Sequence, residues 1–224
     1  MARVQSYSLA LIAFHARALK VPAAVIQYYK LREKMKIKEI EVEIRGRLDS
    51  KSYAELKLFL EKNGTHHASQ EREMYLLQDY PGYTPDFVDR PMDIRLRNTN
   101  GQCEIMMKCA VQGAREEVSL ELKDSNLEKA KKVLKGLGCA KAIWMHRLKV
   151  IYKYKDIEWS LVIAPNDIRY YEAELVVAND QEVAQANQRL VQVATELKLE
   201  VLDDTGTRAL IEKLDKEANK PVQL

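Results

Sequence analysis

The chain has 224 residues, with 36 basic and 33 acidic side chains and a net charge of +3. An apolar fraction of 46% supports a core of ordinary size and excludes wholesale disorder. A charged fraction of 31% with so small a net charge requires the two signs to interleave, and this excludes the basic surplus that bulk nucleic-acid binding needs. The cysteines, Cys103, Cys109 and Cys139, form no CxxC pair, which argues against a disulfide framework or a structural zinc site and for a reducing compartment. The longest apolar run, Leu9 to Phe14, is too short to span a bilayer and is not followed by a leader cleavage pattern. A cytoplasmic protein with neither membrane nor nucleic acid as partner is expected.

Residues 1–34 have helix-compatible composition without a clean apolar stripe, interrupted at Pro22. They read as an N-terminal extension, with Met35 a natural alternative start, ahead of one domain over 35–220. From Ile37 the pattern becomes regular. Ile40, Val42, Ile44 and Leu48 alternate with Glu39, Glu41, Glu43, Arg45 and Arg47, which predicts a strand with one apolar face. Ser52-x-x-Glu55 reads as a capping box for a helix through Leu56, Phe59 and Leu60 that ends at Asn63-Gly64. A strand is predicted over Glu73–Tyr80, then a Pro/Gly-rich loop to Pro91, with His66 and His67 in an exposed loop before them. Asp93–Arg97 and Cys103–Ala110 form a hairpin around Asn98-Thr-Asn-Gly101.

Glu116–Leu122 reads as a strand, and a helix runs from Asp124-Ser125 to Gly136–Gly138. Strand, Asp-Ser, helix and Gly thus recur at an offset of about 75 residues, the mark of an internal pseudo-repeat. Strands over Ala142–Tyr154, Ile157–Ile163 and Tyr170–Val177 follow, then helices over Gln181–Leu197 and Thr207–Ala218. The fold class is α+β, dominated by antiparallel strands.

The faces opposite the apolar ones carry the functional signal. Glu41, Glu43, Arg45 and Arg47 share one face, as do Arg95 with Arg97, Glu104 with Lys108, Arg115 with Glu117 and Glu121, Arg147 with Lys149, and Glu172 with Glu174. An open sheet would turn such faces to water. A sheet curled around them would enclose charges that are costly unless paired, and would suit a polyanion with its cations. Carboxylates supply hard oxygen ligands for magnesium or manganese, and arginine and lysine supply donors to phosphate.

Glu41-Val-Glu43-Ile-Arg45 resembles the ExExK motif of the CYTH superfamily, the triphosphate tunnel metalloenzymes. IRLRNTNGQCEIMMK, REEVSLEL, HRLKVIYKYKDIEWSL and YYEAEL then follow in the order of that family's later motifs. The resemblance implies an eight-stranded antiparallel β tunnel with flanking helices. It further implies Glu41, Glu43, Glu172 and Glu174 as ligands of Mg2+ or Mn2+. Arg45, Arg47, Arg95, Arg97, Lys108, Arg115, Arg147 and Lys149 would be phosphate-binding residues, and Glu117 would activate water. Arg45 stands where the family has a lysine, so phosphate binding survives but proton transfer by a lysine does not. The strand before the closing ExE, read from Trp159 to Pro165, offers no acid near Val162 where family members often carry one. The function implied is metal-dependent hydrolysis of a small-molecule triphosphate (tripolyphosphate, thiamine triphosphate or a nucleoside triphosphate) by a monomer or homodimer. The alternatives are a class IV adenylate cyclase-like enzyme, or a binding module without turnover.

Overall fold

The computed structural model describes residues 40–111 and 114–224, so the predicted extension over 1–34 and the alternative start at Met35 lie outside the described residues. Strands β1 (Ile40–Leu48), β2 (Thr65–Leu77), β3 (Met92–Thr99), β4 (Gln102–Val111), β5 (Ala114–Glu121), β6 (Lys141–Tyr154), β7 (Ile157–Ala164) and β8 (Ile168–Val177) are joined in the order β2-β3-β4-β5-β1-β8-β7-β6. The β2–β6 pairing closes them into a ring, and a short β9 (Lys220–Gln223) is added beside the first half of β6. All pairings are antiparallel. The ring is not a regular barrel; among the described residues β1 meets β5 at Ile40–Glu116 and Glu41–Arg115, and β2 follows β6 from Thr65–Lys153 to Leu77–Ala142. The expected tunnel is therefore present.

The apolar faces point outward and are covered by helices α1 (Ser50–Asn63), α2 (Leu127–Gly136) and α3 (Val183–Glu196), while α4 (Asp204–Glu217) packs on residues of the bore side. In β1 the even positions Val42 and Ile44 are buried with Trp159 of β7 and Tyr171 of β8, under Leu56 and Leu60 of α1 and Leu190 and Val193 of α3. A second cluster joins Tyr75, Leu77 and Leu96 to Ala130 and Leu134 of α2. A third lies on the inward side of β7 and β8, where Val162, Ile168 and Tyr170, which share the parity of Glu158 and Glu172, meet Leu210 and Leu214 of α4. Since each outward face is covered, the alternation of β1 sends its odd positions, the charged ones, inside the ring. Gly46 marks one tight crossing. A Cβ there would lie 2.0 Å from the Glu200 carbonyl oxygen and 2.3 Å from the Tyr171 ring, whose hydroxyl donates to that same oxygen at 2.7 Å.

Several local expectations need correcting. The cap of α1 is Asp49, whose Oδ1 accepts from the Ser52 N–H at 2.7 Å while Ser52 Oγ accepts from the Asp49 N–H at 2.9 Å; Ser52 is the third helical residue of the box, not its first. The second helix is capped by Asn126 rather than by Asp124-Ser125, so the pseudo-repeat holds for the order of elements and not for the capping residue. Helix α4 begins earlier than its apolar pattern suggests, because Asp203 accepts from the Gly206 N–H at 2.7 Å. Strand β2 starts at Thr65, so His66 and His67 lie in a strand and not in a loop. The hairpin of β3 and β4 turns at Asn100 (φ 50°) and Gly101 (φ 87°), the left-handed pair that an Asn-Gly signal calls for. Among the described residues no helix is long and apolar enough to cross a membrane.

Candidate active site

The ring encloses a polar cavity of about 290 Å³. Strand β1 contributes Glu41, Glu43 and Arg45 to its lining, β3 Arg95 and Arg97, β4 Lys108, β5 Glu117, β6 Arg147 and Lys149, and β8 Glu172 and Glu174. Eleven of the residues expected from the sequence thus meet in one chamber. Two do not. Arg115 lines a cleft of about 580 Å³ at the β1–β5 seam, shared with Glu41, Glu43 and Arg45. Arg47 lies outside: half its side chain is exposed, and its Nη2 sits 2.5 Å from Glu200 Oε1. The alternation of β1 continues unbroken through Arg47, but at that end of the strand the side chain pairs with Glu200 and does not reach the cavity lining.

The sequence reading missed His67, Gln70 and Arg72 of β2, Tyr170 of β8 and Glu158 of β7, which line the same chamber. Gln70, Arg72 and Met74 do alternate with Glu71, Glu73 and Tyr75, but both faces of β2 carry polar groups there, so the pattern has no visible parity. A register shift between His66 and Ala68 turns His67 inward. Glu158 corrects the supposed lack of an acid on the strand before the closing ExE. The strand starts at Ile157, as expected, and its second residue Glu158 pairs directly with Glu174.

Most of the cations are already paired within the cage. Arg45 Nε lies 2.6 Å from Glu43 Oε1 and 3.5 Å from Glu172 Oε1, and Lys149 Nζ lies 2.6 Å from Glu172 Oε2. Burial opposes the charge on Glu172, but Lys149 and Arg45 together hold its carboxyl well below the usual range. Lys108 bonds to Glu41 and sits 2.9 Å from Glu117 Oε2, while Arg97 reaches Glu104 at 2.7 Å and Glu117 at 3.3 Å. Against its burial, Lys108 and Arg97 pull the Glu117 carboxyl down to about 2.

At the seam end, Asp93 is fully buried and pairs with Arg90 at 2.9 Å, Arg95 at 2.5 Å and Arg115 at 3.3 Å. Phe87, from the loop between β2 and β3, places its ring 4.9 Å from the Arg45 guanidinium and 4.6 Å from that of Arg115.

One group of carboxylates has the opposite problem. Glu43 and Glu158 are the register partners of Glu174 on either side. Burial pushes Glu174 up to about 8, and the neighbouring Glu41, Glu43 and Glu158 add to the rise. Burial likewise raises Glu41, with Glu117 adding to it and Lys108 opposing. Crowded carboxylates of this kind are a hard-oxygen donor set whose repulsion a divalent cation relieves, so their chemistry fits magnesium or manganese. Among the described residues no three acidic, histidine or cysteine side chains converge as a ready metal site, because Glu41 is turned to Lys108 and Glu43 to Arg45.

A closed antiparallel ring with a charged bore, acids crowded on one wall and guanidiniums on the other, defines the class of triphosphate-tunnel proteins. Residues 39–207 match the CYTH domain model, and the chain belongs to that family, whose members act as triphosphatases or adenylate cyclases and depend on metal. Among solved structures, the PH1819 protein of Pyrococcus horikoshii OT3 aligns with a TM-score of 0.63 at 18% identity, covering 77% of this chain and 99% of its own. The PH1012 protein of the same organism aligns at 0.58 and 18%, covering 72% and 94%. A putative adenylate cyclase from Vibrio parahaemolyticus aligns at 0.52 and 15%, covering 72% and 90%. At these identities the likeness concerns the fold. A search of curated proteins finds no significant sequence match.

Proposed function

We propose that this chain hydrolyses a small-molecule triphosphate with the help of a divalent metal. The observation that supports it most directly is the division of the bore, in which Glu41, Glu43, Glu158 and Glu174 lie along β1, β7 and β8 while cations dominate the strands across from them. Those glutamates would hold magnesium or manganese, which supplies Lewis-acid polarisation of phosphate oxygens and an activated water. Arg95, Arg97, Lys108 and Lys149 bind and orient the phosphates, exchanging their present carboxylate partners for phosphate oxygens of like geometry. Arg45 holds Glu43 in place and, as a fixed fork, stabilises charge that builds on the transferred phosphoryl group. Water attacks the terminal phosphorus and its proton passes to solvent; the bond from that phosphorus to the bridging oxygen breaks, and inorganic phosphate and the diphosphate-bearing remainder leave. Glu117 is tied to Lys108 and Arg97 and is a weak proton acceptor, so it positions those cations instead of taking the proton from water.

Purified protein incubated with tripolyphosphate, thiamine triphosphate and ATP, with and without magnesium or manganese, tests this. Metal-dependent release of phosphate is expected. Cyclic AMP with diphosphate would show a cyclase instead, and binding without any product would show a module without turnover.

A further inference from the structure

Helix α4 and the residues 78–91 that join β2 to β3 meet over one end of the bore, where Phe87 and Arg90 of the connection stand with Leu214 and Asn219 beside Arg45 and Arg147. Buried Arg90 holds the base of the connection: it donates to the Thr84 and Pro85 carbonyl oxygens, each at 2.6 Å, and pairs with Asp93. The tip, residues 86–89, is tied down separately. Asp86 Oδ1 accepts from the Val88 N–H at 2.8 Å, closing a turn around Phe87. Arg115 of β5 donates to the Phe87 carbonyl oxygen at 2.9 Å, but that arginine is shared with Asp93. Among the described residues both ion pairs of Arg208, on α4, go to the tip: its Nε lies 3.0 Å from Asp86 Oδ2 and its Nη2 3.2 Å from Asp89 Oδ2.

Phe87, between those two aspartates in sequence, turns its ring to the Arg45 guanidinium at 4.9 Å and to that of Arg115 at 4.6 Å. Arg45 meets Glu43 and Glu172 through Nε, so its ion pairs hold one edge of the fork. The plane of the fork is set by what it packs on, and the Phe87 ring supplies that surface. A planar donor assists phosphoryl transfer only when its N–H bonds are aimed, and small misplacements are costly. Arg208 itself does not line the cavity. Its side chain and that of Asp86 are 36% and 40% exposed, so their pairing is a modest tie whose loss has a several-fold effect.

We propose that Arg208 is a positioning residue: by holding Asp86 and Asp89 it seats the Phe87 ring against Arg45, and so sets the angle at which that guanidinium meets the transferred phosphoryl group. Helix α4 thereby acts on the chemistry from outside the bore, through one aromatic ring. That Arg45 works on a phosphoryl group rests on the proposed function; the seating of Arg45 by Phe87 and Arg208 rests on their contacts alone.

Two measurements on the full chain test this: NMR of protein carrying nitrogen-labelled arginine, and steady-state turnover of tripolyphosphate. The variants are Arg208→Gln, Arg208→Lys, Phe87→Leu, the Arg208→Gln/Phe87→Leu double and the exposed helix variant Arg189→Gln. The ring current of Phe87 marks the Nε–H signals of Arg45 and Arg115, which Arg45→Lys and Arg115→Lys assign. In Arg208→Gln both signals should move most of the way to their Phe87→Leu positions, with the melting temperature within about two degrees of wild type. Its kcat should fall about fivefold at nearly constant KM, Arg208→Lys should fall between, and Arg189→Gln should match wild type. The double variant should be no slower than Phe87→Leu alone, because Arg208 acts only through the ring. An Arg45 signal unmoved in Arg208→Gln would overturn the proposal whatever the kinetics, and additive losses in the double variant would overturn the route through Phe87. A melting temperature several degrees lower would overturn it in favour of a structural arginine. Moved signals in a chain that turns over no triphosphate would uphold the seating of Arg45 and defeat the hydrolytic reading.

Discussion

On one side of the bore, β1, β7 and β8 set Glu41, Glu43, Glu158 and Glu174 side by side; on the other, β2 and β6 set Arg72 beside Arg147. Both walls are antiparallel sheet with the same inward alternation, and both place like charges where sheet geometry disfavours them. Between the walls, Glu172 is shared by Arg45 and Lys149, and Glu117 by Lys108 and Arg97, so charge is balanced there. A purely structural cage would pair every group in the way this middle zone does. Among the described residues Glu158 and Glu174 on one wall and Arg72 and Arg147 on the other have no ion-pair partner, an arrangement that would suit an electrostatically divided occupant such as a metal bound to a polyphosphate.

The comparison can be broken or sharpened by substitution. Glu41→Gln/Glu43→Gln removes the charge of the acid wall and is expected to lower metal-dependent phosphate release by about a thousandfold, with the fold intact by circular dichroism.

Asp93→Asn strikes the cation side, leaving Arg90, Arg95 and Arg115 enclosed without their carboxylate, and should cost about 3–5 kcal/mol in urea unfolding. Burial opposes the Asp93 charge, but Arg95, Arg115 and Arg90 hold its carboxyl at about 2 in the folded chain against an ordinary 3.8. Its ion pairs therefore contribute their full stabilisation above pH 3.8 and lose it as the pH falls toward 2, a difference of about 2 kcal/mol that should vanish in the Asn variant.

Glu158→Gln tests the late addition to the acid wall. It should raise the metal concentration needed for half-maximal turnover about tenfold. Arg47→Ala is at the bottom of the scale: its partner is Glu200 outside the bore, so turnover should stay at the wild-type level.

How much of this was legible in the sequence depends on the contrast between the two faces of each strand. β1 has apolar residues on one face and charges on the other, and its inward set was read correctly as far as Arg45. Arg47 continues the same alternation, but at that end of the strand it pairs with Glu200 and does not reach the cavity lining, a contact invisible to periodicity. β2 shows the converse. With Gln70 and Arg72 alternating with Glu71 and Glu73, neither parity is apolar, and only the closure of β2 onto β6 decides which residues face the cavity. Glu158, Ser160 and Val162 share a parity, so the acid of the strand expected over Ile157–Ile163 stands four positions before Val162, outside the stretch from Trp159 to Pro165. Strand β9, the four residues Lys220–Gln223, carries no pattern long enough to read and forms because β6 offers it an edge.

Helix α4 changes the topology of the bore. Leu210 and Leu214 pack on Val162, Ile168 and Tyr170, which point the same way as Glu158 and Glu172, and Asn219 beside them accepts from Arg147. The helix therefore sits across one end of the ring, among Arg45, Met74, Arg147 and Glu172. The chamber is thus closer to a thimble than to a pipe: a long chain cannot be drawn straight through along that line.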